Sequence, residues 1–216
     1  MPEKEGLIQP HGGYRKLVSF QIAQLIYDIT VRFCGLYIDR KSRTRDQMVQ
    51  AARSGVQNIA EGSQASGTSK KTEIKLTNVA RASLEELRLD YEYFLRQKGF
   101  PQLDAKHPAL MRFKAKKCLS LEDVRAWAEE ERKRIVNTAS LSLPVPESPS
   151  QSLSVPACPL NNLQSSALIA NAALSKINIC CHLLDRQIAS QAKSFENEGG
   201  FTERLYRVRT ERRAEK

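Results

Sequence analysis

The chain has 216 residues, 41% of them hydrophobic, and its 34 lysines and arginines against 24 aspartates and glutamates give a formal net charge of +10. This length can hold one sizeable core with appendages. No run of about 18 apolar residues is present, which argues against a membrane-spanning helix. The excess of positive charge favours polyanionic partners, nucleic acid ahead of an anionic membrane, although a solvated basic surface has the same composition.

The cysteines indicate the redox compartment. Their number is odd and their spacing is irregular, and the first residues, MPEKEGLIQPHGG, contain no apolar segment of the kind that a secretory signal requires. We therefore expect reduced thiols in a cytoplasmic protein. The cysteines are Cys34, Cys118, Cys158, Cys180 and Cys181.

The chain begins with residues 1–13, which end in Pro-His-Gly-Gly and predict a flexible arm. Residues 14–39 follow, with apolar side chains every three or four positions, the spacing of one helix face. We expect a single first helix here. The predicted inner face comprises Val18, Ile22, Leu25, Ile29, Phe33 and Leu36.

Two more helices are predicted before residue 99. The second begins after a charged turn, where Thr44 and Gln47 fit a capping box, and continues to Gln64 with an inner face of small residues. The third covers residues 70–97, capped by Thr68 or Ser69 and ended by glycine and proline. The inner face of the second helix comprises Met48, Ala52, Gly55, Ile59 and Gly62; that of the third comprises Leu76, Ala80, Leu84, Leu87, Tyr91 and Phe94.

Residues 100–216 consist of predicted helices and a linker between them. Residues 100–137 predict two short amphipathic helices, with Ser120 and Asp123 as a capping pair, and residues 138–161 read as a Pro/Ser-rich flexible linker. Residues 162–198 have the strongest helical periodicity in the chain and predict a fourth long helix. A basic helical segment, 199–216, completes the chain.

These elements predict an all-α fold. Four long helices, each with one apolar stripe, are typical of an up-down four-helix bundle. Here a long excursion, partly helical and partly disordered, separates helices three and four, and a basic helix follows the fourth.

Polar side chains interrupt the apolar faces of helices two and three and predict a structural polar seam between them. Residues three apart share a helix face, so each helix contributes a pair. The carboxylate of Glu61 is placed to meet Arg81 or to cap neighbouring groups, and a ligand-binding cluster is the alternative. The seam comprises Asn58, Glu61, Arg81, Ser83 and Glu86.

Two segments carry a family resemblance. Residues 51–62 (AARSGVQNIAEG) and 79–87 (VARASLEEL) resemble the four-helix-bundle family first noted as products of intervening sequences in bacterial 23S rRNA genes, which has NIAEG on its second helix and ARGSxxEL on its third. Ala82 stands where that family has glycine. Residues 183–188 (LLDRQI) and 199–204 (GGFTER) are similar to the C-terminal suffix variant of the family.

The resemblance covers residues 14–97 and 162–213 and leaves 100–161 aside. It implies a four-helix bundle that assembles as a homopentamer and belongs to a group largely without assigned activity. A related branch of the family consists of basic pentamers that partner a reverse transcriptase and nucleic acid, although no feature of this chain places it in that branch.

Motifs for catalysis or metal binding are weak. The Glu-x-x-His pair of metal-bearing bundles is absent, and His182 beside Cys181 has no second ligand at metal-binding spacing. The glycines at 62 and 67 lack the lysine of a phosphate-binding loop. We expect no enzyme, no catalytic residue, no cofactor and no metal.

Basic clusters are the best functional candidates, because lysine and arginine contact phosphates. The sequence therefore predicts a non-enzymatic homo-oligomer that binds RNA or DNA, or a nucleic-acid-processing partner. The alternative is a protein–protein scaffold that engages a protein partner through the linker and the arginine tail. The clusters are Arg40, Lys41, Arg43 and Arg45; Lys70, Lys71 and Lys75; and Arg204, Arg207, Arg209, Arg212 and Arg213.

Overall fold

The computed structural model describes residues 7–8, 10–141 and 165–214. Within these ranges all regular secondary structure is helical and no strand is found, which confirms the all-α class. A short 3-10 helix, Tyr14–Lys16, precedes the α-helices. These are α1 (Val18–Tyr37), α2 (Arg43–Ala65), α3 (Lys70–Gln97), α4 (Pro108–Lys116), α5 (Leu121–Leu141), α6 (Ser165–Glu198) and α7 (Phe201–Ala214).

The first predicted helix is divided at its start. Leu17, in extended conformation, separates the 3-10 helix from α1. The buried side of α1 is also rotated from the predicted stripe: Val18 is 57% exposed and Leu36 54%, whereas Ala23 and Ile26 are fully buried. The rotation arises because α1 contacts α2 on one side and α6 on the other, which places the centre of its buried arc between those two helices.

The small inner face predicted for the second helix is confirmed, since all five of its residues are buried in α2. A Cβ on Gly55 would lie 2.9 Å from Leu84 Cδ2, and one on Gly62 would lie 3.3 Å from the Glu73 carbonyl oxygen. The two glycines therefore let α2 and α3 approach closely. The predicted capping box is wrong, because the N-cap of α2 is Ser42, without a side-chain cap.

Helix α3 begins and ends at the predicted residues, and its first turn is capped as expected. The Thr72 N–H donates to Ser69 Oγ at 3.2 Å, which satisfies one of the free N–H groups of that turn. The buried face of α3 holds Thr77 in place of the predicted Leu76, which is half-buried.

Each of the four long helices contacts two others. Helix α3 packs on α2 and α6, and α1 packs on the same two helices. Lys70 Nζ lies 3.3 Å from Ser194 Oγ, so the start of α3 lies beside the end of α6. The Leu103 N–H, just beyond α3, donates to Asn171 Oδ1 near the start of α6 at 2.7 Å. Helices α3 and α6 are therefore antiparallel.

Two helices are present where residues 100–137 predict them, but only α4 is short: α5 has 21 residues, one more than α1, and continues to Leu141, into the range assigned to the linker. Ser120 and Asp123 cap each other's backbone N–H groups at 3.0 and 3.2 Å, as predicted. The Arg112 guanidinium makes two 2.6 Å bonds to the buried carboxylate of Glu131, which joins α4 to α5. Predictions for 1–6, 9, 142–164 and 215–216 lie outside the described residues.

Replacing Asn171 with alanine should loosen the segment that follows α3. Asn171 is 1% exposed, and its amide accepts from the Leu103 N–H and donates to the carbonyl oxygens of Pro101 and Ala167. Loss of the amide removes the hydrogen bonds to the half-buried Leu103 N–H and to the Pro101 carbonyl oxygen, at about 0.5–1.5 kcal/mol each in the free energy of unfolding. Urea denaturation measures this loss of stability, and Asn178→Ala, at an exposed position of α6, is the control. Equal stability of the two variants would contradict the prediction.

Candidate nucleic-acid interface

The α1–α2 turn presents the first predicted basic cluster to solvent. Arg40, Lys41 and Arg43 are exposed, whereas Arg45 is half-buried. The Lys41 N–H donates to Asp39 Oδ1 at 2.7 Å, a local bond that orders the turn. Three guanidinium or ammonium groups therefore project from one short, structured segment.

The end of α3 adds two cations at the same end of the fold as this turn. The rings of Phe33 and Phe94 lie 4.9 Å apart, so the last turns of α1 and α3 are at the same end of the fold. Arg96 and Lys98 follow Phe94 directly and are exposed. Together these exposed cations form the basic rim, which comprises Arg40, Lys41, Arg43, Arg96 and Lys98. Sequence reasoning missed the last two, although basic residues in the last turn of a helix are a recognisable signal.

The second predicted cluster lies at the opposite end of the fold. Lys71 and Lys75 are exposed, and Lys70 is half-buried against Ser194. Exposed carboxylates at the end of α6, Glu196 and Glu198, lie at this same end and partly offset the lysines. The opposite placement of the two turns agrees with the expectation for antiparallel neighbours.

The third predicted cluster is divided between surface and interior. Arg204 is 3% exposed, so its prediction as a phosphate contact is wrong. Its burial follows from helix geometry, because Arg204 and Val208 are four residues apart and form the buried face of α7. The exposed members of the cluster are Arg207, Arg209, Arg212 and Arg213.

The five predicted seam residues do not form one cluster. Arg81 pairs with Asp185 on α6 instead of Glu61, and both Glu61 and Glu86 are exposed. The contact that does cross from α2 to α3 joins Ser54 Oγ to Ser83 Oγ at 2.9 Å.

Asn58 supports that serine pair from within α2. Its amide donates to the carbonyl and hydroxyl oxygens of Ser54 at 2.9 and 3.0 Å. Ser54 was missed by sequence reasoning, although it lies one turn before Asn58. The polar groups that do cluster, those of Ser54, Asn58 and Ser83, bond to one another across the α2–α3 contact, which is the structural role of a seam.

Groups that could carry chemistry are dispersed. His182 is exposed at the edge of a cavity of about 330 Å³ that no carboxylate or thiol lines. Burial raises the pKa of Cys34 to about 11 and that of Cys181 to about 12, which leaves both thiols protonated and unreactive at neutral pH. No group of three or more His, Cys, Asp or Glu side chains suited to a metal occurs among the described residues.

One helical segment has the length and composition of a membrane span. Within residues 165–214 an 18-residue window reaches a mean hydropathy of 1.4, and 72% of that window is buried inside the fold. The central helix of a packed core has the same properties. Its apolar character is accounted for by its contacts with α1 and α3.

Comparisons with models of protein families, with curated proteins and with solved structures find no match to this chain.

Proposed function

We propose that this chain is a non-enzymatic, cytoplasmic homo-oligomer that binds nucleic acid through the basic rim. The observation that carries the proposal is the placement of Arg96 and Lys98, at the end of α3, at the same end of the fold as the cations of the α1–α2 turn. Five exposed cations from two separate segments then face solvent at one end of the fold. Such a surface suits a phosphate backbone, whose binding depends on several simultaneous charge contacts.

The rim has the character of a phosphate-binding surface without sequence readout. The Arg96 guanidinium lies 5.0 Å from the Tyr93 ring of its own helix, which occupies that aromatic face. We therefore propose contacts to phosphates, which position a nucleic acid, in place of stacking on bases, which requires free aromatic faces.

For the architecture we propose an up-down four-helix bundle of α1, α2, α3 and α6, which the antiparallel contacts of α3 with α6 support. From the resemblance to the intervening-sequence family we further propose that the chain assembles as a homopentamer. A cyclic assembly would repeat the basic rim in every subunit, and the number of phosphate contacts would rise with the number of subunits.

Titration of labelled RNA and DNA against salt tests the proposal. We expect the logarithm of the binding constant to fall linearly with the logarithm of the salt concentration, by about 0.9 for each phosphate contact with duplex and about 0.7 for single strands. Native mass, measured with and without nuclease treatment, reports bound nucleic acid and assembly state together. Absence of binding at about 50 mM salt would reject the proposal and favour the protein–protein scaffold.

A further inference from the structure

The outer face of α1 lines an apolar groove. Val31 on this face is 42% exposed and Leu36 54%, while Leu119, in the connection between α4 and α5, is 79% exposed on the facing wall. Together they belong to an open groove of about 1290 Å³. Large exposed aliphatic side chains gathered in one groove mark an interaction site more often than singly scattered ones do.

Positive charge predominates around this groove. Its lining includes two carboxylates, Asp28 and Glu122, and a larger number of cations. A second surface that fits the groove should therefore combine apolar side chains with unpaired carboxylates. The cations are Arg32, Arg45, Lys114 and Lys117. Lys176 also lines the groove, but it is buried and its Nζ donates to the Cys118 carbonyl oxygen at 2.8 Å.

Gly35 supports a close approach at the same place. A glycine within a helix costs about 0.5–1 kcal/mol relative to alanine, and at Gly55 the close packing of Leu84 explains it. A Cβ at Gly35 would instead meet no atom within 4 Å. Gly35 lines the groove, so packing within one chain gives no reason for it, whereas the close approach of a second chain does.

The outer face of α3 has the matching character. Leu89 is 47% exposed, and Glu86 and the half-buried Asp90 lie next to it on the same helix face. The face ends at Tyr93, whose ring lies 5.0 Å from the Arg96 guanidinium of the basic rim. Neither carboxylate has an ion-pair partner among the described residues, and the neighbouring Arg88 is bound to Glu85. Asp90 Oδ2 is buried without a hydrogen-bond donor, and burial and the charge of Glu86 raise the pKa of Asp90.

The groove on α1 and the acidic face on α3 lie at the same height along the direction of the helix axes. Thr30 Oγ1 is 3.1 Å from the Tyr91 hydroxyl oxygen, so the middle of the α1 groove is level with the Leu89–Tyr93 stretch of α3. A rotation about an axis parallel to the helices keeps every residue at its own level. Successive copies related by such a rotation would therefore bring the acidic face of one to the basic groove of the next.

We propose that the α3 face of one copy docks in the α1 groove of a second copy. The two surfaces differ, so the contact is head-to-tail, and repetition of it gives a ring if the rotation closes. The inference rests on the proposed self-association and specifies the two surfaces that meet and the head-to-tail direction of their contact. The acidic and apolar character of the α3 face favours a second copy over other occupants of a basic, apolar groove.

The experiment compares variants that block the α1 groove with a variant that reverses the charge of the α3 face. Gly35→Trp places a large side chain in the groove, at a position where an added Cβ meets no atom within 4 Å, and Leu36→Glu repeats the block at an exposed side chain. Glu86→Lys with Leu89→Lys reverses the face. Glu196→Lys, at an exposed position on α6, is the control, and circular dichroism checks that each variant keeps its helix content.

Native mass spectrometry gives the outcome. We expect the wild type and the control to be oligomeric, each blocked variant to be a monomer of 24.4 kDa, and an equimolar mixture of a groove variant with the face variant to form a dimer of twice that mass. That dimer arises because each partner keeps one intact surface. Oligomers that persist in both groove variants, or a mixture that stays monomeric, would overturn the inference alone; a monomeric wild type would overturn the proposed self-association as well.

Discussion

Reversing the charges of Arg40, Lys41 and Arg43 to glutamate should weaken nucleic-acid binding by at least about tenfold, or about 1.4 kcal/mol, at low salt. These three exposed residues make up the α1–α2 part of the basic rim. Each phosphate contact that is lost reduces the salt slope by about 1. We therefore expect the slope to fall by about 3 per subunit, with the same loss for unrelated nucleic acid sequences.

The opposite end of the fold provides a matched control. Lys70, Lys71 and Lys75 changed to glutamate alter the net charge by the same amount, but at the end where Glu196 and Glu198 already offset the lysines. Fluorescence anisotropy with one RNA and one DNA at several salt concentrations compares the two triple variants. An equal loss in both would show that net charge, and not the rim, governs binding.

Gly55→Leu should destabilise the fold by about 1–3 kcal/mol in the free energy of unfolding. A Cβ at this position would lie 2.9 Å from Leu84 Cδ2 and 3.8 Å from the Ala80 carbonyl oxygen. Leu84 is fully buried and cannot move away without displacing its own neighbours. The added side chain must therefore separate α2 from α3, the pair whose close approach the small residues of α2 permit.

Gly35→Ala is the control for this prediction. Both glycines lie within helices, but a Cβ at Gly35 meets no atom of its own chain within 4 Å, so the alanine variant of the dissociated subunit should gain stability through its higher helix propensity, by up to about 1 kcal/mol. Chemical denaturation at a single protein concentration compares the two. Wild-type stability of Gly55→Leu would mean that α2 and α3 are not closely packed at this position.

The helices could be predicted largely because each one has a local signal. Ser69 at the N-cap and the Gly99–Pro101 stop define α3, and the periodic small residues of α2 lie at buried positions. The rotation of α1 could not be predicted, because the direction that a helix buries depends on which neighbours it contacts. Its stripe of Val18 and Leu36 follows helical spacing yet faces the groove.

The candidate site was predicted less completely. The cations of the α1–α2 turn were found from composition, since a charged turn is exposed wherever it lies. Arg96 and Lys98 were missed because their relation to that turn is spatial and spans more than fifty residues of chain. Arg204 was assigned to the surface with its basic neighbours, although helical spacing with Val208 places it on the buried face.

The sequence by itself determined the helical class, the close-packed face of α2 and the positive charge, because these follow from periodicity, residue volume and titration state within short segments. The tertiary structure decided which charges share an end of the fold, which apolar faces are left without a partner and which polar groups pair, as in the contact of Arg81 with Asp185. Those relations join residues that are distant along the chain. They depend on which faces of the four helices contact one another, and no pattern within a short segment specifies those contacts.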